Sequence, residues 1–184
     1  LDVFESVLRH PDLRAWNGLG MVIQAYARHA DAVVDRLEAL ARTHQIRISV
    51  RLVKGAYWDT EIKLAQEKGL ADFPVYTAKN HTDLAYLALA KRLMNASRYV
   101  HPQFASHNAY TLCAVSTLAA AIGPESCEVQ KLHGMGDAVH EALGEIWKVP
   151  LRVYAPVGQH RDLIDYLVRS VIEHGASSSF MNQL

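Results

Sequence analysis

The chain has 184 residues, half of them apolar, enough to bury a sizeable core within one domain. Lys+Arg and Asp+Glu balance at 19 each, which argues against a nucleic-acid surface or a polybasic membrane anchor. No apolar run approaches the length of a membrane span.

Residues 1–18 are divided between helix and loop, and 9–17 carry no assignable pattern. Short apolar runs then recur as candidate strands at 21–23, 46–50, 75–76, 103–105, 128–130 and 152–154. Helical periodicity fills the gaps. Val34, Leu37, Leu40 and Ala41 form one stripe over 31–43, and Leu84, Leu87 and Ala88 another over 82–94. Residues 109–122 are more apolar still. Residues 162–174 carry Leu163, Tyr166, Leu167 and Ile172 before Gly175, a C-cap residue. The candidate strands recur at about the length of a strand, a helix and two short loops, where no hairpin intervenes. About six βα units therefore predict a parallel α/β sheet, doubly wound or barrel-like.

Polar residues at the carboxyl ends of the strands favour the barrel. A doubly wound sheet gathers its site at one switch point, whereas a barrel draws on every strand end. The most informative run is 51–59, Arg51 to Asp59, where two cations, a glycine and two aromatics follow an apolar strand. Cations beside a buried strand need an anionic partner. Pooling the strand ends gives Gln24, Arg51, Lys54, Tyr57, Trp58, Thr77, Lys79, Thr82, Ser106, His107, Asn108, Leu132 and Tyr154. This set is rich in donors and poor in carboxylates. It suits an anionic, planar, phosphate-bearing ligand better than a divalent metal.

A metal hydrolase is the rival reading, because His101, His107 and His133 lie near strand ends. No HxH pair follows a strand, and no Asp or Glu stands at a strand end beside these histidines, so no metal is expected. Asp59 and Asp83 read as helix N-terminal residues. On the last helical stretch, Tyr166, Arg169 and Glu173 share a face. Arg169 there is either a carboxylate clamp or half of a surface pair with Glu173, and spacing alone favours the pair. Cys113 and Cys127 read as free thiols, which favours a reducing compartment.

The motifs RLVKGAYWD (51–59), PVYTAKNHTD (74–83), PQFASHNA (102–109), KLHGMG (131–136), RVYAPVG (152–158) and YLVRSVIEHGASSSF (166–180) bring a family into view. In order and spacing they resemble the proline dehydrogenase domain of bacterial bifunctional proline utilisation flavoenzymes, from about residue 19 onward. The resemblance implies a distorted (βα)8-type TIM barrel with FAD over its carboxyl-terminal mouth. It also implies oxidation of L-proline to Δ1-pyrroline-5-carboxylate, by hydride transfer to the flavin and reoxidation by a membrane quinone.

Carried over position by position, the resemblance implies that Gln24, Arg51, Lys54, Gly55, Ala56, Trp58, Thr77, Lys79, Thr82, Ser106, His107, Asn108 and Glu173 contact FAD. Arg51 and Tyr57 stand at the reactive edge as catalytic candidates. Leu132, Tyr154, Tyr166 and Arg169 line the proline site, with Ser170 where the family has a second arginine. Cytoplasmic location, with peripheral attachment at the inner membrane through parts outside this chain, is a further expectation.

Two departures from the family stand out. Ser170 removes one carboxylate contact, so either proline binds weakly or a related cyclic amino acid is the substrate. The family's first two strands have no counterpart, and the chain starts at Leu1. The expectation is a C-terminal portion of the barrel domain spanning 1–184, with a truncated non-catalytic segment that binds no flavin as the alternative.

Overall fold

The computed structural model describes residues 1–13, 16, 18–159, 161, 163, 164 and 166–168. Five strands form one sheet: β1 (Gly20–Gln24), β2 (Ile48–Val53), β3 (Val100–Ala105), β4 (Glu128–Leu132) and β5 (Leu151–Tyr154). They lie in sequence order and every pair is parallel. An order that never reverses has no switch point, so this is the single winding of a barrel and not a doubly wound sheet.

The helices are α1 (Asp2–Leu8), α2 (Ala30–His44), α3 (Trp58–Glu67), α4 (Lys79–Asn95), α5 (Ala109–Ile122) and α6 (Asp137–Ile146). The stripe read over 31–43 faces the core, but the one read over 82–94 does not. Leu84 and Ala88 are exposed and Leu87 is half-buried, and α4 turns a neighbouring face inward. Val34, Leu37, Leu40 and Ala41 of α2 are buried, as are Leu89, Ala90 and Leu93 of α4 and Leu112, Val115 and Ala119 of α5. They cover Ile48, Val50, Leu52, Val100 and Phe104, the outward residues of β2 and β3.

Strand alternation then turns Ser49, Arg51 and Val53 to the opposite, inner face. Parallel register carries that face across the sheet. Arg51 pairs with Val22 and Gln103, Gln103 with Glu128, Gln130 with Arg152, and Leu132 with Tyr154. The outer face is a dry helix-covered core, and the inner face is largely polar.

Three expectations change. β2 runs to Val53, so Arg51 is an inward strand residue and not the first residue of a loop. Val75 and Tyr76 form no sheet strand. Val75 makes an isolated antiparallel bridge to Ala27, and the Tyr76 N–H donates to the Tyr26 carbonyl at 2.8 Å. β2 pairs directly with β3, which leaves no slot for a strand between them, and Pro74 lacks the donor a ladder needs. The connection instead holds two helices, α3 and α4, so among the described residues the sheet has five strands where about six were expected. The stretch 162–174 lies mostly outside the described residues, although 163, 164 and 166–168 are helical.

Candidate active site

At the end of β1, the Gln24 side-chain oxygen accepts the Ala56 N–H at 2.9 Å, which ties the loop after β2 to the neighbouring strand. That loop turns at Gly55, whose φ is +142°. A Cβ there would lie 1.8 Å from Cδ1 of buried Tyr26, so only glycine lets the loop lie flat on the ring. The Lys54 ammonium, largely buried, donates to the Asp83 carboxylate, and the Lys79 ammonium stands 3.9 Å from the other Asp83 oxygen. Asp83 is thus more than a helix-start residue: it holds two cations at the mouth.

Tyr57, at the start of α3, is exposed. The Trp58 indole N–H donates to the Tyr76 carbonyl at 2.8 Å. This explains why residues 75–76 are pinned there without joining the sheet.

On the inner face, the Arg51 guanidinium lies over the Tyr154 ring, 4.4 Å from its centroid. Its Nε is buried and has no hydrogen-bond partner among the described residues. Burial raises the Tyr154 phenol above its ordinary range, and the Arg51 charge opposes that rise. Below the arginine on the outer face, Tyr86 is fully buried, and its phenol is pushed far up by burial.

The loop after β3 is organised by its own side chains. Ser106 Oγ accepts the Asn108 N–H at 3.1 Å, and Asn108 Oδ1 caps α5 by accepting the Thr111 N–H at 2.9 Å. His107 Nε2 accepts the N–H of Leu132, the buried last residue of β4, at 3.1 Å. The His133 N–H donates to the Tyr154 carbonyl at 2.8 Å. The loops after β3, β4 and β5 are therefore linked in series.

The structure thus groups Gln24 with Ala56, Lys54 with Lys79, Arg51 with Tyr154, and His107 with Leu132. Thr77 is exposed and Thr82 half-buried in and beside the start of α4, and Tyr166 is exposed. Arg169, Ser170 and Glu173 lie outside the described residues.

A carboxylate that sequence reasoning missed stands deeper on the inner face. Glu128 is buried and accepts two bonds from Arg152, at 2.7 and 2.8 Å. It also accepts from Gln103 at 2.9 Å and Gln130 at 2.8 Å, with His101 Nε2 at 3.6 Å. Burial works to raise this carboxyl, but the Arg152 and Gln130 hydrogen bonds and the cations nearby outweigh it, and it sits below its usual range. Glu128 is the first residue of β4, so the carboxylate that meets His101 lies at the amino end of the strand, away from the mouth where none was expected beside the histidines. Strand alternation carries the missed signal: Glu128 and Gln130 share the parity of Leu132. Among the described residues, no group of three or more His, Cys, Asp or Glu gathers as a metal site. His140 and Tyr26 were also passed over, and no local motif marks either.

A profile described as proline dehydrogenase matches residues 1–183. This chain belongs to the proline dehydrogenase family.

It is 47% identical over 192 residues to the bifunctional protein PutA of Klebsiella aerogenes, covering 100% of this chain and 14% of that protein. The PutA protein of Rhizobium meliloti is 47% identical over 189 residues, covering 100% and 15%. A hydroxyproline dehydrogenase of Xenopus laevis is 27% identical over 168 residues, covering 86% of this chain and 34% of that protein. Among solved structures, proline utilization A of Bradyrhizobium japonicum (mutant D779W) matches with a TM-score of 0.90 at 51% identity, over 97% of this chain and 18% of that one. The Bdellovibrio bacteriovorus protein inactivated by N-propargylglycine matches with a TM-score of 0.86 at 37% identity, over 94% and 18%. This likeness bears out the α/β barrel class read from the sequence. The chain spans about one seventh of the length of the PutA relatives it matches. Among the described residues, no helix is long and apolar enough to cross a membrane.

Proposed function

We propose that this chain forms part of the catalytic barrel of an FAD-dependent proline dehydrogenase that oxidises L-proline to Δ1-pyrroline-5-carboxylate. The observation that carries the reading is Arg51, a cation on the inner face whose buried Nε lacks a partner among the described residues. A donor left without a partner in a family of this activity fits an electron-rich cofactor edge. When bound, FAD supplies the acceptor for the hydride that proline loses.

The chain's own residues have separable tasks. Lys54 and Lys79, prearranged on Asp83, with Thr77 and Thr82 close by in sequence, would hold the phosphates. Gln24, Gly55, Ala56, Trp58, Ser106, His107, Asn108 and Glu173 would complete the cofactor cradle. Leu132 and Tyr154, opposite each other in register, would wall the proline ring and keep water from it, with Tyr57 and Tyr166 nearer the solvent. Arg169 would bind the substrate carboxylate through a charge-assisted fork. A substrate amine that binds deprotonated leaves no strong general base to be supplied. A membrane quinone is the proposed electron acceptor, reached from the cytoplasmic side by peripheral attachment.

The test is an absorbance spectrum of the protein purified with FAD, before and after anaerobic L-proline. A flavin band that bleaches supports the reading; protein that takes up no flavin rejects it. A second substrate class is favoured by Ser170 together with the hydroxyproline dehydrogenase relative. Bleaching by hydroxyproline at a higher kcat/KM than by proline would establish it.

A further inference from the structure

His140 is the one histidine of α6. It is buried to 5% exposure, and no assigned role touches it. Its Nε2–H donates to the Ser106 carbonyl at 3.1 Å. Its ring meets the His107 ring edge to face, with centroids 5.8 Å apart and planes at 83°. The backbone of Gly136 runs against both rings. A Cβ there would lie 3.0 Å from His107 Cδ2 and 3.4 Å from His140 Cδ2, and φ is +66°. His107 in turn accepts the Leu132 N–H. Two imidazoles and one glycine therefore join the loop after β3 to the loop after β4.

Resting on the proline dehydrogenase reading, we infer that His140 is a positioning residue. By bonding Ser106 and packing on His107, it fixes the cofactor-side loop and the substrate wall at Leu132 as one unit. The chemistry suits the task. A buried carbonyl left without its donor is costly, and the imidazole supplies that donor from a rigid ring on a helix. Burial holds His140 below its ordinary value, the Ser106 bond opposing, so the neutral donor form is the folded form. His107 accepts at Nε2, which places its own proton on Nδ1 when neutral. The two rings thus carry complementary tautomers, and exchanging donor for non-donor at His140 reaches Leu132 through His107.

The test compares the full chain with His140→Phe, which keeps a ring without a donor, and His140→Gln, which keeps a donor at Nε2 reach. Amide hydrogen exchange at Leu132 and FAD affinity are read in each. The expected result for His140→Phe is Leu132 exchange about tenfold faster and FAD dissociation constant about tenfold higher. Amides of β2 should be unchanged, and His140→Gln should restore both to within about threefold. Equal Leu132 exchange in all three proteins overturns the inference, as does a folded His140→Phe with wild-type FAD affinity. Wild-type protein that takes up no FAD rejects the enzymatic reading instead, and the Leu132 exchange then decides the coupling by itself.

Discussion

Arg51 and Tyr154 sit on strands β2 and β5, three neighbours apart in the sheet, yet the guanidinium lies 4.4 Å from the phenol ring centroid. Only a sheet that curls brings them together, because adjacent strands are about 4.8 Å apart. The contact is therefore both evidence of barrel curvature and the centre of the proposed site.

Arg51→Met should remove the cation while keeping much of the stem. Loss of one charge-assisted contact of about 1.5–3 kcal/mol corresponds to FAD binding weaker by about ten- to a hundredfold. Arg51→Lys should recover only part, since an ammonium cannot stack flat on Tyr154. Titration of apo-protein with FAD measures both, and wild-type affinity in Arg51→Met would remove the assigned contact.

Gly55→Ala meets two obstacles, a φ of +142° and a Cβ position 1.8 Å from the Tyr26 ring. A loss of about 2–5 kcal/mol is expected from strain and overlap together. Adding Tyr26→Ala should relieve the overlap and leave the backbone cost. Chemical denaturation of the single and double variants separates these terms, and an unchanged midpoint in Gly55→Ala contradicts the loop geometry.

Glu128 governs an acid limb of stability. Its folded carboxyl lies below the ordinary value of 4.5, so its contribution is complete above that pH and is lost as pH falls through the folded value. The unfolded chain takes up the proton first, which sets that sign. His140 acts in a higher window. Its folded value lies below the ordinary 6.5, so stability falls as pH drops from 6.5 toward the folded value. Thermal melts across these ranges should show Glu128→Gln less stable at neutral pH but flatter on the acid limb. Parallel curves for the two proteins would remove Glu128 as the cause.

Ser170→Arg restores the second arginine expected from the family pattern. If a missing carboxylate contact limits proline binding, KM should fall by about tenfold or more with kcat little changed. Steady-state kinetics with proline and hydroxyproline decide the point. A KM that stays constant means that Ser170 belongs to a different substrate preference.

Much of the fold was legible because it rests on local rules. The stripe of α2 and the alternation in β2 need only side-chain direction and burial. In α4 the stripe of Leu84, Leu87 and Ala88 named the wrong face, because apolar residues lie on several sides of that helix. The missed helices show the limit. Trp58–Glu67 begins at an aromatic pair that reads as a ligand surface, and Asp137–Ile146 follows a glycine-rich turn. Val75 and Tyr76 misled for the opposite reason: two β-forming residues imitate a strand when no partner is known. At the site, Arg51, Lys54, His107 and Tyr154 were visible as polar or aromatic residues at strand ends. Glu128 and His140 were not, since a buried polar residue is distinguished from a surface one only by its neighbours.

What the sequence by itself determined was the parallel α/β order, the buried stripe of α2, the donor-rich strand ends and the family. Each depends on residue type and spacing along one chain. Tertiary structure decided which donors meet. It turned Arg51 inward onto Tyr154, set Asp83 between Lys54 and Lys79, gathered Gln103, Gln130 and Arg152 around Glu128, and placed His140 beneath His107. Those pairings depend on sheet register and curl, which join residues far apart in sequence through backbone hydrogen bonds that carry no side-chain signature.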